Sequence, residues 1–282
     1  MTRTIPNGWI SFLEAFTLAL RAAGKPQTTI STRLNHLRRL ARTCGHHSPW
    51  TLTGDQLVAW CGRQDWSSET RRSYRGTLRA FWSWGVETGQ VAENAAAALP
   101  KVPASRPRPR PAPERVYAEA LAVARPRERL MLRLAAECGL RRAEVSRIHA
   151  EDILEDLDGW SLRVHGKGGR ERIVPMPASL AVEVRRGAAG HTPGHGAAGW
   201  LFPGDDGGHL SPRWVGKLVT QLLPGAHTMH ALRHRFATRA YLVDRDTFTV
   251  QELLGHASPD TTRRYVYVPR ESLRRTVDAV AA

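Results

Sequence analysis

The run His230-Ala231-Leu232-Arg233-His234-Arg235-Phe236-Ala237-Thr238, followed by Leu254-Gly255-His256 and then by Tyr265, decides how the second half of this chain is read. Residues three apart on a helix share a face. A helix over Leu232 to Tyr241 therefore lets His230 at its mouth and Arg233 one turn in address a single bound group. Nine positions beyond His256 stands Tyr265, led in by Thr261-Thr262-Arg263-Arg264. Such an order describes an anion-binding cluster followed by a phenol capable of nucleophilic attack, and phosphate is the anion expected. A lone His-x-x-Arg is commonplace in a basic chain, where it caps a helix or solvates a surface. It is the ordered set that carries the reading.

Upstream, Cys138-Gly139-Leu140-Arg141-Arg142-Ala143-Glu144-Val145 places Gly139 at the end of one helix and Arg141 at the start of another. Arg142, as the adjacent helical residue, is expected to point about 100° away. Trp160 to Val164 and Glu171 to Pro175 alternate around His165-Gly166-Lys167-Gly168-Gly169-Arg170. That pattern predicts a β-hairpin with Lys167 at its tip, joined by Ile153-Leu154 as a third strand. A lysine at such a tip is ordinarily only solvated. Further helices are predicted over Val116 to Ala124, Glu128 to Glu137, Ser211 to Leu223, around Thr249 to Leu254 and over Glu271 to Val280. Ala188 to Pro212 reads as a loop anchored by Trp200-Leu201-Phe202-Pro203.

At 282 residues the chain is long enough for two domains. Its net charge of +15 and pI of 10.9 point to nucleic acid or another anionic surface. No apolar run approaches the roughly 20 residues of a spanning helix and no secretory leader is visible, so a cytoplasmic protein is expected. Cys44, Cys61 and Cys138 have no metal-ligand spacing and read as small buried side chains. His46-His47, His191, His195 and His209 lie among Gly, Pro and Ser and read as loop residues, and neither a metal nor a cofactor is assigned.

The first 99 residues read as a four-helix domain. Trp9, Phe12, Leu13 and Phe16 recur at helical spacing, as do Ile30, Leu34, Leu37, Leu40 and Cys44 before Gly45. Thr53-Gly54-Asp55-Gln56 has capping-box spacing and opens a third helix. The fourth, over Glu69 to Gly85, carries Arg71, Arg75 and Arg79 every four residues on a side distinct from Tyr74, Leu78, Phe81 and Trp82. Residues 1–100 hold twelve Lys and Arg against six Asp and Glu, so acids do not balance that stripe. Residues 100–115 are rich in proline, with Lys101, Arg106, Arg108, Arg110 and Arg115 against Glu114. This is an extended linker suited to tracking a phosphate backbone, or a plain soluble spacer. Residues 116–282 form the second domain.

On the motifs from Cys138 to Tyr267 the chain resembles the tyrosine recombinases, the phage integrase and Xer-type site-specific DNA recombinases. The resemblance implies a mainly α fold: an N-terminal four-helix core-binding (SAM-like) domain, then a mixed α/β catalytic domain with a small antiparallel sheet. It implies that Arg141, Lys167, His230, Arg233, His256 and Tyr265 are catalytic and that Glu144 supports Arg141. Arg71, Arg75 and Arg79, with Arg106, Arg108 and Arg110 of the linker, would touch double-stranded DNA. Tyr267 is a rival phenol, but the nine-residue interval selects Tyr265. The family acts as a homotetramer on two DNA sites and exchanges a C-terminal segment between protomers, here 271–280. Met1 to Ile5 leaves no room for the arm-binding domain of larger integrases. Type IB topoisomerases use a similar constellation, and a catalytically silent DNA-binding regulator is the alternative outside enzymes.

Overall fold

The computed structural model describes residues 4–45, 47–104, 109–166, 169–187, 199–256 and 266. The chain divides into two compact units, Met1–Arg106 and Pro107–Ala282. No helix among the described residues is long and apolar enough to cross a membrane.

Among the described residues of the first unit, four α-helices carry the fold: α1 (Asn7–Ala22), α2 (Gln27–Cys44), α3 (Gly54–Gly62) and α4 (Ser68–Glu87). Trp9 and Phe16 of α1, Leu37 and Leu40 of α2, and Phe81 and Trp82 of α4 fill its core. α2 stops where Gly45 turns left-handed at φ 75°. The capping box opens α3 as its sequence predicts: Gln56 donates its backbone N–H to Thr53 Oγ1 at 3.3 Å, and the Thr53 N–H donates to Gln56 Oε1 at 2.9 Å.

The arginines of α4 are braces within this unit. Arg71 donates from all three guanidinium nitrogens, to the carbonyls of Trp66 at 3.2 Å, Cys61 at 3.0 Å and Gln64 at 2.6 Å. Carbonyls at and beyond a helix end lack intrahelical donors, which draws the guanidinium fork to the α3–α4 connection. Arg75 Nε donates to the Leu99 carbonyl at 3.1 Å, and Arg79 Nη1 to that of Ala97 at 3.3 Å. The stripe expected to face DNA thus has structural work inside its own unit, most completely at Arg71.

The second unit contains α5 (Glu114–Val123), α6 (Pro126–Glu137), α7 (Arg142–Val145), α8 (Ala178–Arg186), α9 (Pro212–Leu222), α10 (Met229–Asp244) and α11 (Thr247–Leu254). A three-stranded antiparallel sheet, β1 (Ile153–Asp156), β2 (Gly159–His165) and β3 (Glu171–Pro175), runs in that spatial order. Leu162 lies opposite Ile153 on one side and Val174 on the other, while Val164 faces Arg172. α10 packs along α6, whose Met131, Leu132 and Leu134 are fully buried. It buries Arg233, His234 and Arg235 in succession. A helix enclosed on so many sides has no amphipathic stripe for a sequence pattern to report.

Residues 112–115 belong to this unit rather than to a linker. Ala112 is buried and donates its N–H to the Ala231 carbonyl at 2.9 Å. Glu114 accepts from Arg235 at 2.7 Å and pairs with Arg239 at 3.1 Å. Arg110 is exposed. Arg106, Arg108, Lys167, Tyr265, Tyr267 and the segment 271–280 lie outside the described residues.

Candidate active site

Three stretches far apart in sequence meet at one buried carboxylate. Gly139, at φ 66°, turns the chain out of α6, and Arg141 follows as the extended residue before α7. A Cβ on Gly139 would run into the Phe236 ring and come within 3.0 Å of Leu254, so only glycine lets these segments approach. Glu144, on α7, accepts from the Arg141 backbone N–H at 2.8 Å and from Arg141 Nη1 at 2.7 Å. One carboxylate therefore opens the helix and orients the arginine in front of it.

α10 supplies Arg233, 1% exposed, from its first turns. Arg233 Nη1 donates to the Gly139 carbonyl, and its Nη2 to the Leu254 carbonyl at 2.7 Å. The same Nη2 lies 3.1 Å from His256 Nε2. α11 ends at Gly255, left-handed at φ 61°, and this turn presents His256. The sheet contributes a group that the sequence reading missed. Arg172 of β3 donates to both oxygens of Glu144, at 3.1 and 2.8 Å.

Burial, then the charges of Arg233 and Arg141, push the His256 imidazole down to about 3. Arginine only donates, so Nε2 of this neutral ring accepts and Nδ1 carries the hydrogen. His230 is accessible at the mouth, yet protein atoms back its ring. That partial desolvation, followed by the Arg233 and Arg141 charges, lowers its pKa as well. Burial alone would raise the Glu144 carboxyl, but hydrogen bonds from Arg172 and the charges of Arg172 and Arg233 outweigh it and hold the group below the usual carboxylate range.

The cluster opens on a cleft of about 790 Å³ between the start of α7, α9 and the start of α10. Arg141, Arg142, Arg213, Lys217, His230 and Arg233 line it, with no carboxylate among the described lining residues. Arg142, expected to point away, borders the same cleft and lies against Gly216. Arg141 is extended rather than helical, so the 100° step between consecutive helical residues does not apply to this pair. Arg213 and Lys217 were not singled out in sequence, although their spacing of four along a predicted helix was visible there.

The structure thus brings together Arg141, Glu144, His230, Arg233 and His256, while Lys167 and Tyr265 fall outside the described residues. Arg71, Arg75 and Arg79 belong to the other unit. No group of three or more His, Cys, Asp or Glu among the described residues is placed to share a metal ion. The cleft therefore presents fixed positive charge and neutral imidazole, an arrangement that suits a phosphate bearing one or two negative charges.

Residues 114–271 match the model of the phage integrase family. The tyrosine recombinase XerC of Rhodospirillum centenum is 36% identical over 210 residues, covering 70% of this chain and 61% of that protein. XerC of Xanthomonas campestris pv. campestris is 32% identical over 228 residues, covering 77% and 69%. Among solved structures, XerH site-specific recombinase bound to a palindromic difH substrate superposes with a TM-score of 0.70 at 20% identity, covering 96% of this chain and 84% of that one. A lambda integrase dimer on a COC′ core site gives 0.70 at 19%, covering 90% and 94%. At these identities the structural likeness speaks for the fold alone.

Proposed function

The chain belongs to the phage integrase family, the tyrosine recombinases, and from that premise we propose that it is a site-specific DNA recombinase that cleaves and rejoins strands through a 3′-phosphotyrosyl intermediate. The observation that carries this reading is the cluster in which Glu144 holds Arg141 and pairs with Arg233, and Arg233 in turn meets His256, beside a cleft that Arg141 and Arg233 line. A phosphodiester repels nucleophiles, and its transition state gathers more negative charge. Fixed cations at the non-bridging oxygens are therefore the main catalytic need. Arg141 and Arg233 supply planar forks for them, and His256 adds a hydrogen bond.

In this mechanism the Tyr265 oxygen attacks phosphorus while the bond to the 5′ oxygen breaks. A phenol titrating near pH ~10 is protonated at neutral pH, so a base must take its proton. His230, whose pKa is lowered, is neutral at that pH and fills the role. Lys167 gives a proton to the departing 5′ oxygen. The phosphotyrosyl link retains the bond energy, so the 5′ hydroxyl of a partner strand reverses the step without ATP or a divalent metal.

The proposed partner is double-stranded DNA, held by a homotetramer on two sites in the bacterial cytoplasm, with 271–280 exchanged between protomers. Arg75, Arg79 and the linker's Arg106, Arg108 and Arg110 add phosphate contacts outside the cleft. Integration and excision of a mobile element is the role proposed, and resolution of joined sites is the reading that the likeness to XerC proteins favours.

The test uses a nicked suicide duplex carrying the sequence that the protein selects from random DNA. Wild type is expected to form a covalent adduct in EDTA, and Tyr265→Phe to bind the duplex without forming one. Adduct formation by Tyr265→Phe removes the mechanism. Supercoil relaxation by a monomer, without site preference, would make the protein a topoisomerase instead.

A further inference from the structure

Arg172 has no part in the chemistry above, yet its side chain is only 5% exposed and enters the site from β3. A carboxylate offers about four acceptor positions. On Glu144 two are taken by the Arg141 backbone N–H and Nη1, and the other two by Arg172 Nη1 and Nη2. Arg233 Nη1 forms a loose ion pair with Glu144 Oε2 at 3.6 Å, beyond hydrogen-bond distance, and gives its hydrogen bond to the Gly139 carbonyl. Arg172 is itself pinned: its Nε donates to the Leu253 carbonyl at 2.8 Å, and a Cβ on Gly255 would come within 2.9 Å of its Cδ.

We infer that Arg172 is a positioning residue for the phosphate clamp: by occupying the second pair of acceptor sites on Glu144, it lets that carboxylate orient Arg141 without drawing in Arg233. The purpose assigned to the clamp rests on the recombinase reading, but the geometry does not. Without Arg172, a carboxylate 3% exposed loses two charge-assisted donors, a deficit that burial makes costly. Among the described residues, the cation placed to replace them is Arg233, 3.6 Å from Glu144 Oε2. Closing that gap breaks its bond to Gly139 and turns the fork away from His256, so one of the two phosphate-binding cations goes from a loose ion pair to a hydrogen-bonded partner of Glu144. Arg172, in the second β2–β3 pair from the turn, also ties that hairpin to the segment that bears Arg141.

The experiment measures the affinity of the full-length protein for inorganic phosphate, read from the ring resonances of His256. Arg172→Met is expected to weaken binding about tenfold, the scale of a lost charge-assisted contact, with Arg172→Lys in between. The double variant Glu144→Gln/Arg172→Met is expected to recover most of the loss, because a neutral amide has no charge with which to capture Arg233. A purely structural role predicts no such recovery. Wild-type affinity in Arg172→Met, a double variant no tighter than the single, or a His256 signal unmoved by phosphate in wild type would each overturn the inference. Should Arg172→Met fail to fold, Arg172→Lys with and without Glu144→Gln carries the same comparison. Adduct formation on the nicked duplex separates the two claims. A wild type that binds phosphate but forms no adduct sinks the recombinase reading and leaves Arg172 in its role. Adduct formation at the wild-type rate in Arg172→Met sinks the role and leaves the reading.

Discussion

Arg233 Nη2 lies 3.1 Å from His256 Nε2 and 2.7 Å from the Leu254 carbonyl, so a single guanidinium nitrogen holds both the histidine and the end of the helix that presents it. The imidazole is neutral in consequence, its pKa pushed down to about 3 by burial and then by Arg233 and Arg141. Between pH 6.5 and 3 the unfolded chain binds a proton that the folded site refuses, so stability falls as pH drops through this window. The slope from this group approaches about 1.4 kcal/mol per pH unit. Urea denaturation at pH 7.5, 6.5 and 5.5 is expected to show a steeper loss in wild type than in His256→Asn. Glu144, held below the carboxylate range, contributes stability that is present above pH ~4.5 and lost only beneath it, outside these three points. Equal slopes in the two proteins would show that His256 titrates normally.

Arg233→Lys keeps the charge but cannot reach the Gly139 carbonyl, the Leu254 carbonyl and His256 together. Loss of the planar fork is expected to slow adduct formation about 10²–10³-fold, the cost of one transition-state donor. Affinity for duplex DNA, set by many phosphate contacts, is expected to stay within about threefold. A matching fall in affinity and rate would mean that Arg233 binds ground state and transition state alike.

The parts of this site legible in sequence are those whose meaning is local. His230 and Arg233 are one turn apart on the same helix, Gly255 stops α11 directly before His256, and Glu144 caps the turn that Arg141 opens. Arg172 was not legible, because its partner Glu144 is 28 residues away and its strand pattern only marks it as a polar position between Glu171 and Ile173. Arg142 borders the cleft against the helical expectation because Arg141 is extended, so no 100° step separates the two side chains. The fold was readable wherever one face of an element is wet, as in α1, α2 and the hairpin. α10 hid its limits by burying three charged or polar residues in a row.

Gly139→Ala is expected to damage both fold and site. Its left-handed φ of 66° costs a residue with a Cβ about 1–3 kcal/mol, and the crowding against Phe236 and Leu254 adds about 1–3 kcal/mol more. Because the Gly139 carbonyl accepts from Arg233, adduct formation should fall even where the protein remains folded. Urea midpoints and adduct rates measured on the same sample check this, and a destabilised variant with an intact rate would uncouple the turn from the clamp.

The α4 arginines allow structural and DNA-binding roles to be separated residue by residue. Arg71→Ala removes three bonds to carbonyls around the α3–α4 connection and is expected to lower stability by about 1–3 kcal/mol. With every guanidinium nitrogen already donating inside the unit, it should leave the salt dependence of DNA binding unchanged. Arg75 and Arg79 each make one such bond in the structure. If they also meet phosphates, replacing either by alanine should reduce the slope of log affinity against log salt by about 1. Binding titrations at several salt concentrations, paired with urea denaturation, distinguish the cases. A reduced slope in Arg71→Ala would move that residue to the DNA, whereas unchanged slopes in Arg75→Ala and Arg79→Ala would leave the whole stripe as internal bracing and shift the search for contacts in this unit to other basic residues.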